Sequence, residues 1–219
     1  MVKRSKSSQR WIERQKRDPY VKKAVAAGLG SRAHFKLDQL DKRFALLRAH
    51  MAVLELGAAP GGWTRYLAGR VADGFIVAVD CRPMPVPKGV LFCCLDIHSA
   101  DFEPRLAALI GARRLDLVLS DMAPNITGVK VADQAATMAL VDLATQTARQ
   151  WLKQGGTLVA KMFQGEGVDA WVRATRADFA KVVLAKPAAS RSESREVYGV
   201  ATGFTGHDRI DAASDGGGL

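Results

Sequence analysis

A chain of 219 residues and 23.6 kDa has room for one domain with a sizeable core, but not for two full ones. With 48% hydrophobic and 25% charged residues it reads as a soluble globular protein, and no apolar stretch nears the roughly 18 residues of a membrane span. The three cysteines, Cys81, Cys93 and Cys94, and four scattered histidines lack any CxxC; they argue against a zinc site and fit reduced thiols in a cytoplasmic protein.

The chain opens on MVKRSKSSQR, which has no apolar h-region, so no secretory signal is expected. Residues 1–36 carry eleven Lys/Arg against Glu13 and Asp18, whereas the other 183 carry 21 basic and 20 acidic side chains. The formal charge of +10 is therefore concentrated in one segment. Residues 1–30 are expected to form a basic arm that attracts a polyanion, with a merely solvated terminus as the plainer alternative. SRAHFKLDQLDKRF (31–44) predicts a helix with Leu37, Leu40 and Phe44 on one stripe and Ser31 as N-cap. Short apolar runs follow at 52–56, 75–80, 90–95, 115–121 and 157–163, read as buried strands. Amphipathic segments near 63–72, 101–112, 133–153 and 168–179 separate or follow them. The alternation predicts an α/β fold, a parallel sheet with helices on both faces. Two further strand-like runs, 181–187 and 196–204, have only a polar link between them and must pair antiparallel if they pair at all. Residues 205–219 read as a disordered tail.

The first strand runs into LGAAPGGW (56–63). In a doubly wound sheet that strand's carboxyl end faces the ligand crevice. Gly57, Gly61 and Gly62 let the backbone turn sharply and approach a ligand closely. Neither GxGxxG nor GxxxxGK[ST] is present, which counts against dinucleotides and nucleoside triphosphates. Asp80, ending the second strand, is placed to accept from ribose hydroxyls, and Asp96, after the third, to pair with an adenine amino edge. Singly, the glycines could be a plain strand-to-helix turn and either aspartate a cap; the three successive strand ends together favour a ligand.

DMAPN (121–125) follows the fourth strand, and Lys161 lies inside the otherwise apolar run of the fifth. A lysine in such a run is rare unless paired or functional. Asp121 and Lys161 should emerge on neighbouring strands, as reacting groups or as a structural ion pair. Lys36 and Glu196, taken singly, read as solvated surface charges.

A doubly wound sheet closed by a C-terminal antiparallel hairpin is the Rossmann-like architecture of S-adenosylmethionine-dependent methyltransferases. The motifs SRAHFKLDQL, LGAAPGGW, SDMAPN, KMFQGEG and SRSESREVYGVATG, in this order, resemble the FtsJ/RrmJ family of ribose 2′-O-methyltransferases over about residues 8–204. The resemblance implies a methyltransferase domain at 31–204 that uses S-adenosylmethionine and no metal. It implies a tetrad of Lys36, Asp121, Lys161 and Glu196, and cofactor contacts at Gly61, Trp63, Asp80, Asp96 and Asp121. The basic arm is similar to the bacterial branch, which methylates a uridine ribose in large-subunit (23S) ribosomal RNA. The expected partner is therefore ribosomal RNA, within the large subunit or its precursor, met by a cytoplasmic monomer with no membrane contact. A tRNA ribose methyltransferase and a non-catalytic ribosome-assembly factor on the same scaffold remain alternatives. A nicotinamide oxidoreductase is disfavoured by the missing GxGxxG. His34, where relatives usually carry an aromatic residue, the three cysteines and the glycine-rich tail depart from the family pattern without removing a functional position.

Overall fold

The computed structural model describes residues 18–26, 29 and 31–206. Most of the expected arm (1–30) and of the expected tail (205–219) lies outside the described residues.

Seven strands form one sheet: β1 Ala52–Leu56, β2 Phe75–Asp80, β3 Val90–Cys94, β4 Leu115–Ser120, β5 Leu152–Phe163, β6 Phe179–Ala185 and β7 Glu196–Phe204. Their order is β3-β2-β1-β4-β5-β7-β6. The pairings from β3 through β5 are parallel, and β7 runs antiparallel to both β5 and β6. The link between β6 and β7 is shorter than a parallel crossover needs, so the hairpin is the only pairing open to it. The expected α/β architecture with a C-terminal antiparallel pair is what the chain adopts.

Among the described residues six helices accompany the strands: α1 Pro19–Ala26, α2 Ala33–Phe44, α3 Gly62–Arg70, α4 Phe102–Ile110, α5 Lys130–Trp151 and α6 Val168–Thr175. Because strand side chains alternate between faces, the sheet feeds two cores. On one face Leu37 and Leu40 of α2 and Trp63 and Leu67 of α3 pack with Val53, Leu117 and Val159. On the other, Phe102 and Leu106 of α4, Val141 of α5 and Trp171 of α6 pack with Leu54, Val77, Val118 and Leu158. No described helix is long and apolar enough to cross a membrane.

Four local expectations are corrected. β3 is not buried; it is the sheet's edge, and its Leu91 is exposed. β5 starts at Leu152, directly after α5, because Gly155 at φ +75° and a register shift opposite Leu115–Leu117 bend the KQGG stretch into the strand. Ser31 precedes the helix start by two residues, yet its Oγ still accepts the Ala33 N–H at 3.3 Å, as a capping serine does. Finally, the segment expected to be arm contains α1. Asp18 caps it, accepting the Tyr20 N–H at 3.0 Å, Pro19 occupies its first position, and Ala24 is buried.

Strand order reverses between β1 and β4, which opens a crevice at their carboxyl ends. There Gly57 (φ +78°) runs so close to the β4 loop that a Cβ would lie 2.8 Å from the Met122 backbone nitrogen. Only glycine lets the two loops meet.

Candidate active site

A cavity of about 810 Å³ occupies this crevice, bounded by Gly57, Asp80, Asp96, Asp121, Met122 and Lys161 among others. The size is that of a pocket for one drug-sized or cofactor-sized ligand. Asp80 ends β2 with its carboxylate already oriented: Oδ2 accepts the Ala59 N–H at 2.8 Å and Oδ1 the Arg82 N–H at 2.9 Å. Arg82 Nε also reaches Oδ1, at 3.4 Å, so of the roughly four acceptor sites of a carboxylate the open one is on Oδ2, where a hydroxyl can donate. Asp96 is similarly set by the His98 N–H, 2.9 Å from its Oδ1. Apolar walls come from Leu95, Ile97, Met122 and Pro124. A nucleoside with a flat base and a ribose, carrying no phosphate, suits these walls and acceptors.

Gly61 and Trp63, the other two expected cofactor positions, do not bound the cavity. Gly61 (φ +91°) caps α3 beneath Met84 and Pro85. The Trp63 side chain is 1% exposed and points into the α2–α3 core, donating its indole N–H to Ala33 O at 2.8 Å. Any ligand contact at position 63 must therefore use the main chain.

The four tetrad positions come together as two ion pairs. Lys161 Nζ lies 3.2 Å from Asp121 Oδ1 and also donates to the Asp121 carbonyl. Lys36 Nζ lies 2.8 Å from both Glu196 oxygens, and Ser190 Oγ donates to Glu196 Oε1 at 2.7 Å. The sheet register explains the meeting. Lys161 on β5 is paired directly with Tyr198 on β7, and Glu196 lies two residues back, so all three share one face. That face is the one α2 covers, which is how Lys36 reaches Glu196. Side-chain exposures of 10% for Lys161 and 11% for Lys36 mean that both ammonium groups are largely withdrawn from water. Lys161 and Asp121 border the cavity; Lys36 and Glu196 do not line it and join it through Tyr198 and the β7 strand.

Two residues that sequence reasoning passed over complete the site. Tyr198, fully buried, donates its hydroxyl to Asp121 Oδ1 at 2.8 Å while Lys36 Nζ sits 5.9 Å from its ring centroid, so it ties one pair to the other. Burial, helped by the Asp121 and Glu196 carboxylates, holds its phenol well above the ordinary tyrosine range. It stays a donor at any working pH. Tyr198→Phe is expected to cost about 1.5–3 kcal/mol, the worth of a hydrogen bond to a charged group, measured by chemical denaturation. The second is Glu55 on β1, 1% exposed, which accepts the Thr64 hydroxyl at 2.7 Å under the glycine loop. For Glu55 a charged residue inside the apolar run AVLEL was the available signal.

A doubly wound sheet ending in an antiparallel strand pair, with a glycine turn and strand-end carboxylates around a nucleoside-sized crevice, defines a Rossmann-like methyltransferase. Comparison with known proteins narrows the class. The model of the FtsJ-like methyltransferase family matches residues 29–204, and the chain belongs to that family. Ribosomal RNA large subunit methyltransferase E of Stutzerimonas stutzeri is 46% identical over 206 residues, covering 94% of this chain and 100% of the relative. The protein of that name from Marinobacter nauticus is 47% identical over 202 residues, covering 92% and 98%. A solved structure from Plasmodium falciparum, named a ribosomal RNA methyltransferase, superposes with a TM-score of 0.73 at 25% identity, covering 80% of this chain and 98% of that one.

Proposed function

We propose that this methyltransferase transfers a methyl group from S-adenosylmethionine to a ribose 2′-hydroxyl of a uridine in large-subunit (23S) ribosomal RNA. The observation that carries the reading is the placement of Lys161 and Asp121 on the border of the nucleoside-sized cavity, backed by the Lys36–Glu196 pair. The names of the Stutzerimonas and Marinobacter relatives, both ribosomal RNA large subunit methyltransferase E, support the choice of RNA.

Asp80 and Asp96 would hold the ribose and the amino edge of the cofactor's adenosine, and the main chain of the Gly57–Gly62 turn would pass beside its amino-acid part. The bound cofactor supplies an electrophilic methyl. The protein's task is then to set the 2′-oxygen in line with that methyl and to manage its proton, and alignment alone provides a large share of the acceleration. Lys161 Nζ faces the acceptor oxygen, either taking its proton or holding a developing alkoxide. Asp121, fixed by Tyr198, orients Lys161. Lys36 and Glu196 hold the far side of the acceptor ribose. A 2′-hydroxyl target makes RNA, and not DNA, the substrate.

The reading is tested by radiolabelled methyl transfer to large ribosomal subunits from a strain deleted for the gene, with loss of a ribosomal uridine methylation mapped in that strain. A missing tRNA mark, with ribosomal RNA unchanged, would move the target to tRNA; no transfer to any RNA would leave a non-catalytic assembly factor. The arm enters the proposal as a holder of RNA phosphates. Because α1 belongs to the folded body, the informative truncation ends at residue 17. Removing residues 2–17, with seven Lys/Arg, is expected to weaken subunit binding and flatten its salt dependence by several units of slope while the cofactor still binds. An unchanged affinity across a salt series would remove the arm from the RNA interface.

A further inference from the structure

A second hollow of about 640 Å³ lies between the start of α1 and the loop that joins β6 to β7, walled by Asp18, Tyr20, Arg32, Ser190 and Arg191. It abuts the tetrad, because Ser190 of its wall donates to Glu196. The tetrad thus stands between two concavities, the nucleoside-sized cavity at Lys161 and Asp121 and this hollow beside Glu196 and Lys36.

Cations outnumber carboxylates in the wall, Arg32, Arg191 and Lys186 against Asp18 and the exposed Glu193. One carboxylate oxygen, Asp18 Oδ2, serves two guanidinium groups: it accepts from Arg32 Nη1 and lies 3.4 Å from Arg191 Nε. Arg32 Nη2 donates to the Ala189 carbonyl. Among the described residues, Arg32 Nε and Arg191 Nη2 are buried with no hydrogen-bond partner. The remaining cation of the wall, Lys186, is used internally, donating to the carbonyls of Ser192 at 3.0 Å and Ser194 at 2.7 Å to fold the loop on itself. A buried donor without an acceptor costs free energy. Two guanidinium groups sharing one carboxylate, with a donor to spare on each, are electrostatically unfinished. Their forked donors match phosphate oxygens.

We propose that Arg32 and Arg191 form a subsite for a backbone phosphate of the RNA strand next to the methylated nucleotide, and that the Asp18 carboxylate occupies this subsite until the phosphate displaces it. The subsite rests on the reading of the protein as an RNA ribose methyltransferase, and adds to it the element that registers the strand on the tetrad. Asp18 also caps α1, so the strand's arrival is coupled to the base of the basic arm.

Opposite signs test the idea. Asp18→Asn keeps a capping oxygen for α1 but removes the competing charge, and is expected to tighten binding of large ribosomal subunits from a strain deleted for the gene several-fold. Arg191→Gln is expected to raise KM for the same subunits about tenfold, with the loss in KM and not in kcat, and to make the salt slope shallower by about 0.7–1. Arg191→Lys, which keeps the charge without the fork, should retain the slope and lose part of the affinity. Cofactor affinity, by titration calorimetry, reports that each variant is folded. If Asp18→Asn weakens binding as Arg191→Gln does, the three residues are a structural clasp and the subsite is refuted. Equal KM and slope in wild type and Arg191→Gln refute it as well. Should the wild-type protein neither bind nor methylate the subunits, the functional reading itself falls and takes the subsite with it.

Discussion

Lys161→Ala is expected to reduce methyl transfer by about three orders of magnitude while leaving cofactor binding within a few-fold of wild type. A positioned proton acceptor contributes about 10²–10⁴ in rate, and removal of an ammonium that faces a developing alkoxide is of similar size. The two roles separate through Lys161→Arg. A guanidinium keeps its charge at any working pH and does not accept a proton. Substantial activity in Lys161→Arg, with a flattened pH–rate profile, identifies a cation that steadies the oxygen. Activity as low as in Lys161→Ala identifies the proton acceptor. Lys161 is largely buried against Asp121, so the alanine variant also leaves Asp121 with Tyr198 as its side-chain partner. Calorimetric cofactor affinity, which on the proposed reading would draw on Asp80, Asp96 and Asp121, therefore serves as the control for a collapsed site. Wild-type turnover in Lys161→Ala would remove the residue from the reaction altogether.

Much of this arrangement was open to inspection before any coordinates, for a physical reason. A parallel sheet puts functional groups at the carboxyl ends of its strands, so locating the ends of five apolar runs located Gly57, Asp80, Asp96, Asp121 and Lys161 together. The pairing of Lys36 with Glu196 was not open in that way, since residues 160 apart in sequence meet only through the register of β7 on β5 and the seat of α2 above it. Their roles were implied by family resemblance alone. Tyr198 was hidden because a tyrosine in a strand looks like core, and it is core; only its hydroxyl reaches the site. Trp63 shows the converse: a position taken from the resemblance whose side chain serves packing. The start of α1 is written in Asp18-Pro19, a capping residue followed by the one residue that needs no N–H there, within a segment whose dominant sequence feature is its positive charge.

Glu55 sets the stability of the site against pH. Burial lifts its carboxyl from the usual range to about 8, opposed by the Thr64 hydrogen bond and reinforced by the Asp121 and Asp80 charges. At neutral pH the folded protein therefore holds a proton on Glu55, while the unfolded chain, with an ordinary carboxyl near 4.5, does not. A group whose folded value is raised contributes stability that is complete below the unfolded value and is lost as pH climbs through the folded one. Between pH 4.5 and about 8 the unfolding equilibrium should accordingly shift about tenfold per pH unit toward the unfolded chain on account of this residue. Glu55→Gln, isosteric and uncharged, abolishes that slope and can still accept from Thr64. Its stability relative to wild type is expected to rise by roughly 4 kcal/mol from about pH 5 to 8, read from urea denaturation in a pH series. Ionised Glu55 keeps the Thr64 hydrogen bond but adds a buried negative charge beside Asp121 and Asp80, both of which border the crevice, so its ionisation should perturb the crevice before the fold gives way. Cofactor affinity is then expected to decline above about pH 8 in wild type and to stay level in Glu55→Gln. Parallel stability curves for the two proteins across the series would mean that Glu55 is ionised in the folded state, with its charge met by a partner other than Thr64.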